Sequence, residues 1–221
     1  MRTPFSPLHL LFLVAFALFV IISINLQLMT LTFEKLGLAP GSALLLILSS
    51  LFGSLINLPL FTLRATAPPS PIDRLSGGLL RPPRLPFTGY TQVAVNVGGC
   101  LVPVMFSFYL IRNSELVPSH IFLATAIVAT VSYGMSRPIP GLGIGMPMLV
   151  APLTAALVAI PLGGEYRAPL AYIAGSLGVL IGADVLRLKD IRKLGAPLAS
   201  IGGAGTFDGI FMTGLVAVLL T

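Results

Sequence analysis

Two apolar stretches decide the fold: residues 170–186, LAYIAGSLGVLIGADVL, and 202–221, GGAGTFDGIFMTGLVAVLLT. A short basic loop joins them, so Asp184 and Asp208 sit at facing ends of consecutive hydrophobic segments. A carboxylate at membrane depth costs a few kcal/mol even on lenient insertion scales, so each needs a reason to be there. The rest of the chain reads as a lipid-soluble frame around that pair.

Composition supports the frame. The 221 residues are 56% hydrophobic and 9% charged, with mean hydropathy +0.99, whereas an ordinary soluble domain is about 25% charged. Continuous apolar runs without period-two alternation select helices over a barrel. The expectation is therefore an all-α, polytopic membrane helix bundle forming a single domain over residues 1–221. It has about seven spans, at 8–33, 42–63, 90–111, 119–135, 147–162, 168–186 and 205–221. The first is too long for a signal peptide, and no Ala-x-Ala pattern follows it. A Pro- and Arg-rich loop occupies 64–89, and three prolines and three glycines in 137–147 exclude a regular helical start.

Loop charge tests that count. With the amino terminus inside, Arg2, Arg64, Arg74, Arg81, Arg84, Arg137, Arg187, Lys189, Arg192 and Lys193 fall on the cytoplasmic side. Only Lys35, Arg112 and Arg167 face outward, a positive-inside bias that predicts a multi-pass cell-membrane protein with its carboxyl terminus outside. The same distribution removes the need to invoke nucleic acid for the net charge of +6. Cys100 reads as a small core residue. His9 and His120 each stand alone at a span boundary, so neither a metal nor another cofactor is expected.

On this topology Asp184 and Asp208 lie at matching depths on neighbouring helices. Two carboxyl groups close together share one proton, the arrangement needed to activate water and protonate a leaving group. Blander readings exist for each residue. Asp208 also suits the first turn of a helix, and Asp184 could pair with Arg187 at i+3. Gly175, Gly178 and Gly182 form a small-residue face suited to close helix packing or oligomerisation. That face turns Asp184 away from the last helix unless the chain unwinds at Gly182. Arg137, followed by Pro138, is either a topology anchor or a group that tunes the carboxylates. The Gly202–Gly205 run could form an anion-cradling nest.

The segment Gly205-Thr206-Phe207-Asp208-Gly209 resembles the glycine-aspartate motif of presenilins and signal peptide peptidases. Asp184, ending the preceding span, corresponds to that family's other catalytic aspartate. The likeness covers about fifty residues and departs from the motif, since two residues separate Gly205 from Asp208. It implies an intramembrane aspartic protease acting on a transmembrane peptide within the lipid bilayer. From the second span onward the chain also resembles an uncharacterised prokaryotic family of integral membrane proteins, catalogued as a domain of unknown function. That likeness implies membrane location without an activity.

Two alternatives stand beside the hydrolase. Asn57-Leu58-Pro59 and Asn96-Val97-Gly98-Gly99 read as paired helix breaks in consecutive spans, which suits a small proton-coupled transporter or channel. A non-catalytic membrane scaffold needs neither the carboxylates nor the asparagines.

Overall fold

The computed structural model describes residues 31–66, 89–139, 143–203 and 209–221. Most of the expected first span, most of the 64–89 loop, and both Gly205 and Asp208 lie outside the described residues.

The chain is mostly helical, but the all-α expectation needs correction because two of the expected spans are part strand. Helix α1 (Pro40–Gly53) opens on a proline at its first turn, and Ser54 ends it by donating from Oγ to the Leu51 carbonyl at 2.7 Å. Strand β1 (Asn57–Arg64) follows where a continued helix was expected to residue 63. Pro59 lies mid-run, where its ring and missing N–H oppose a helix and suit an edge strand. The expected span at 90–111 likewise starts as strand β2 (Tyr90–Asn96). It then passes through a wide π-helical turn (Val97–Leu101) into helix α2 (Val102–Asn113). Thr91 and Val93 are buried while Tyr90 and Gln92 are exposed, the alternation of a half-buried strand.

Helix α3 (Pro118–Met135) matches expectation closely. A short antiparallel ribbon follows, β3 (Arg137–Ile139) with β4 (Gly143–Gly145). Helices α4 (Val150–Gly163) and α5 (Arg167–Val179) form a hairpin. The reversal falls at Gly164, whose φ of 53° lies in the left-handed region that glycine adopts without strain. Ala155 packs against Gly175 near the middle of the hairpin. Beyond Val179 the helix widens into a second π turn, Leu180–Val185. The expected basic connector at 187–199 contains strand β5 (Leu198–Ile201), and helix α6 (Gly209–Leu219) ends the fold.

Strands β1, β2 and β5 make one sheet in that order, with β1–β2 antiparallel and β2–β5 parallel. One face of the sheet, carrying Val93, Ala199 and Ile201, packs on Val179, Leu180, Ala183 and Ile210 at one end of the helices. Connectors gather at the two ends of the bundle. At the sheet end, Thr66 donates its N–H to the Arg192 carbonyl at 2.8 Å, and Gln92 donates to Pro197 at 2.9 Å. At the other end, Phe33, Leu36 and Val218 share a core with Ala168 and Leu116, and Lys35 Nζ donates to the Val218 carbonyl at 3.4 Å.

Among the described residues, two helical runs are long and apolar enough to cross a membrane: Pro118–Met135 and the 36-residue run Val150–Val185. The second of these is the α4–α5 hairpin. Its arms of 14 and 19 residues are about 21 and 28 Å long.

Candidate functional site at the meeting of two wide turns

Asp184 owes its position to the second π turn. Gly178 and Gly182 press against α3, where a Cβ at Gly182 would stand 2.2 Å from the Ala129 carbonyl oxygen and one at Gly178 would stand 2.6 Å from Val128. Gly175 alone of the three faces α6, near Gly214 and Ala217. The glycine stripe is thus divided among α3, α4 and α6 and does not present one face to the last helix. A π turn inserts a residue into the helical count and rotates the residues beyond it. Asp184, two residues past Gly182, lies off the stripe, and its Oδ2 accepts a hydrogen bond from the Gly202 N–H at 2.8 Å.

Gly202 closes β5. Gly202 and Gly203 hold φ of 85° and 94°, so their amides turn out of the strand direction. Only the Gly202 amide meets the Asp184 carboxylate, while the Gly203 N–H donates to the Ser200 carbonyl at 3.3 Å, so a single backbone donor serves the acid. No β-carbon fits at Gly202, because one would lie 2.7 Å from both the Cys100 nitrogen and the Gly99 carbonyl carbon. The end of β5 therefore lies directly on the first π turn, and the two wide turns meet across it.

The polar residues on the other face of the sheet form a second cluster. Asn57 and Asn96 are register partners. Asn96 is only 1% exposed. Its Nδ2 donates to the Ser54 carbonyl at 2.7 Å and to Asn57 Oδ1 at 3.1 Å. Its Oδ1 accepts from the Gly99 N–H at 2.8 Å. Ser200 Oγ donates to the same Asn57 oxygen at 2.6 Å, reaching past the small Ala94 of the middle strand. Ser50 Oγ donates to the Gly98 carbonyl at 3.0 Å, where the α1 backbone touches the first π turn. The paired helix breaks are therefore strand ends facing each other, and their amides bind the sheet to α1.

Arg137 and Pro138 lie in β3, opposite Gly145 and Ile144. Arg137 is exposed and makes no ion pair among the described residues. The arginine that joins neighbouring elements is Arg187. Its guanidinium donates to the Tyr133 carbonyl at 2.6 Å and the Ser136 carbonyl at 2.8 Å, covering the carboxyl end of α3. It also lies 4.2 Å from the Tyr133 ring centre and bonds Asp190 Oδ2 at 3.0 Å. The i+3 pairing considered for Asp184 is therefore replaced by one to Asp190. Lys193 Nζ reaches the other Asp190 oxygen at 2.7 Å. The Lys193 and Arg187 hydrogen bonds hold the Asp190 carboxyl below the usual carboxylate range.

Sequence reasoning misses Ser200 and gives Arg187 and Gly202 other partners than the structure does. The charge of Arg187 reads as a topology signal, and a glycine nest suggests an anion from outside the chain. Among the described residues, no three His, Cys, Asp or Glu side chains group to hold a metal.

Residues 51–220 match a family model described as "Protein of unknown function (DUF1614)". The chain belongs to the DUF1614 family. No curated protein and no solved structure matches it. The match takes in the last turn of α1, all five strands and both π turns. The Asp184–Gly202 junction and the asparagine cluster therefore lie inside the DUF1614 region.

Proposed function

We propose that this DUF1614 chain is a multi-pass integral membrane protein whose Asp184 works with Asp208 as a hydrolytic carboxylate pair on a transmembrane peptide. The seven-pass arrangement with an inner amino terminus is supported by the gathering of connectors. Those counted as cytoplasmic meet through Thr66, Arg192, Arg187 and Ser136. Those counted as outer meet through Lys35 and Val218. In this arrangement the second pass is α1, about 21 Å of helix, continued by eight residues of strand, about 26 Å. A hydrocarbon core of about 30 Å is shorter than that sum, so the outer part of the β1–β2 ribbon stands on the basic side.

The observation that carries the hydrolase reading is the direction of Asp184. Its carboxylate is turned inward to the Gly202 amide, at the head of the segment that reaches Asp208 six residues later. Six residues span at most about 20 Å, and any turn shortens the separation. Asp184→Asn keeps an acceptor for the Gly202 N–H while removing the acid. Asp184→Asn and Asp208→Asn should each abolish cleavage of a reporter helix in reconstituted vesicles, with melting temperatures unchanged. Cleavage that persists in either folded variant overturns the reading and leaves a scaffold.

The asparagine cluster lends less to transport than its sequence promised. Asn96 donates twice and accepts once within the fold, so its amide serves as a joint and not as a polar lining.

A further inference from the structure

The sheet end of the bundle carries a cationic surface that neither the carboxylates nor the asparagine joint uses. Arg64, Arg137, Lys189, Arg192 and Lys193 are exposed there, supplied by three separate stretches of chain. The only described acid among them is Asp190, and both of its oxygens are already occupied by Arg187 and Lys193. Arg64 and Arg192 are held near one another. Thr66, two residues beyond Arg64, bonds the Arg192 carbonyl through both its N–H at 2.8 Å and its Oγ1 at 3.2 Å. Neither arginine is ion-paired among the described residues.

Apolar side chains stand exposed at the same end. Leu186 follows the second π turn and is 54% exposed, while Met148 and Leu149, just ahead of α4, are 85% and 59% exposed. Leu63, Ile144, Met146 and Ile191 share one core cluster, which puts the cations and the exposed aliphatic groups at one end of the bundle, and that combination matches a molecule with an anionic head and a hydrocarbon body. A free nucleic acid or inorganic anion has no use for the aliphatic part. We propose that Arg64 and Arg192 form a headgroup site for an anionic phospholipid, with Leu186, Met148 and Leu149 against the acyl region. This rests on the membrane reading above, and it names the lipid class that the basic end selects.

Each arginine near an anionic surface contributes about fivefold in affinity at low salt, so the pair contributes about thirty-fold. The test uses the full chain reconstituted in phosphatidylcholine vesicles doped with phosphatidylglycerol. The protein is then extracted in mild detergent, and its retained lipid is counted by native mass spectrometry. The wild-type chain should retain phosphatidylglycerol over phosphatidylcholine. An Arg64→Gln/Arg192→Gln double variant should lose that preference by about thirty-fold, whereas Arg112→Gln, at the other end, should keep it. Equal retention of both lipids by the wild type, or an undiminished preference in the double variant, overturns the site. Displacement of the lipid by inorganic phosphate or a short RNA at matched ionic strength also overturns it. An alkaline carbonate wash separates the two levels of failure. A chain released by the wash refutes membrane integration itself, while a retained chain without lipid preference refutes only the headgroup site.

Discussion

Gly202→Ala is the substitution to which the junction should be most sensitive, and Cys100 provides the means of measuring it. The native φ of 85° places an L-residue in the left-handed region at about 1–2 kcal/mol. The added methyl would also stand 2.7 Å from the Cys100 nitrogen and the Gly99 carbonyl carbon, and 2.8 Å from Cys100 Cβ. Two of those three atoms are backbone, so a segment must move, and overpacking of this kind typically costs about 1–3 kcal/mol. The combined loss is about 2–5 kcal/mol, falling mostly on the contact between β5 and the first π turn. Cys100 is the single cysteine of the chain and is buried. Its modification by a maleimide therefore reports opening of this junction. If opening is a pre-equilibrium, labelling of Gly202→Ala should be faster by about thirty-fold to a few thousand-fold. Gly134→Ala is the control, since a β-carbon there meets nothing within 4 Å and the position is helical. It should gain about 0.5–1 kcal/mol and label no faster than the parent. Labelling of Gly202→Ala within about threefold of the parent would refute the close contact between the end of β5 and the first π turn.

Other consequences arise from the same geometry. Asn57 Oδ1 only accepts in its bonds to Asn96 and Ser200, whereas Asn96 must also donate to the Ser54 carbonyl. Thermal unfolding should therefore show Asn96→Asp to be worse than Asn57→Asp by at least about 2 kcal/mol, and equal losses would sink this assignment of donors. Arg187→Met removes three bonds to the end of α3 and the Asp190 ion pair together with the Tyr133 stacking, and should lower stability by about 2–4 kcal/mol. Arg187→Lys should recover less than half of that loss, because a point charge cannot span both carbonyls. Asp190 titrates below the ordinary carboxylate range in the folded chain, so its contribution is complete above the unfolded value near 3.8 and is lost as pH falls through the lower folded one. Melting temperature plotted against pH should accordingly fall more steeply below pH 4 in the parent than in Asp190→Asn. Parallel curves would contradict the Arg187–Asp190–Lys193 bridge.

The features legible in the sequence and those hidden from it divide along physical lines. A long apolar run bounded by proline or charge announces itself, so the expected 119–135 became Pro118–Met135 and the expected 168–186 became Arg167–Val179 with its π extension. Hydropathy does not separate an apolar strand from an apolar helix of the same composition, and β1 and β2 are lost inside expected spans for that reason. The signs are present in Pro59 mid-run, and in Thr91, Val93 and Val95 alternating with Gln92, Ala94 and Asn96. Strand β5 gives less warning. Leu198–Ile201 is only four residues long and overlaps the end of the basic connector, and its identity depends on pairing with Gln92–Val95 more than a hundred positions earlier. The expense of placing a carboxylate at residue 184 singles out Asp184, but expense does not reveal a partner. The partner is a backbone amide that the left-handed turn at Gly202 aims at it.

The parallel pairing of β2 with β5 sets an order of events during biosynthesis. When the β1–β2 ribbon leaves the ribosome, the strand that completes the sheet has not been translated, and the amides along the open side of Gln92–Val95 have no companion. Four helices, α2, α3, α4 and α5, must be made in the interval. Closing so distant a contact is slow, and an unpaired strand edge is prone to mispairing while it waits. A nascent chain halted before Leu198 will therefore hold the asparagines without Ser200 and Asp184 without its amide. Competence at this junction arrives late, because the last strand of the sheet is also the last to be made.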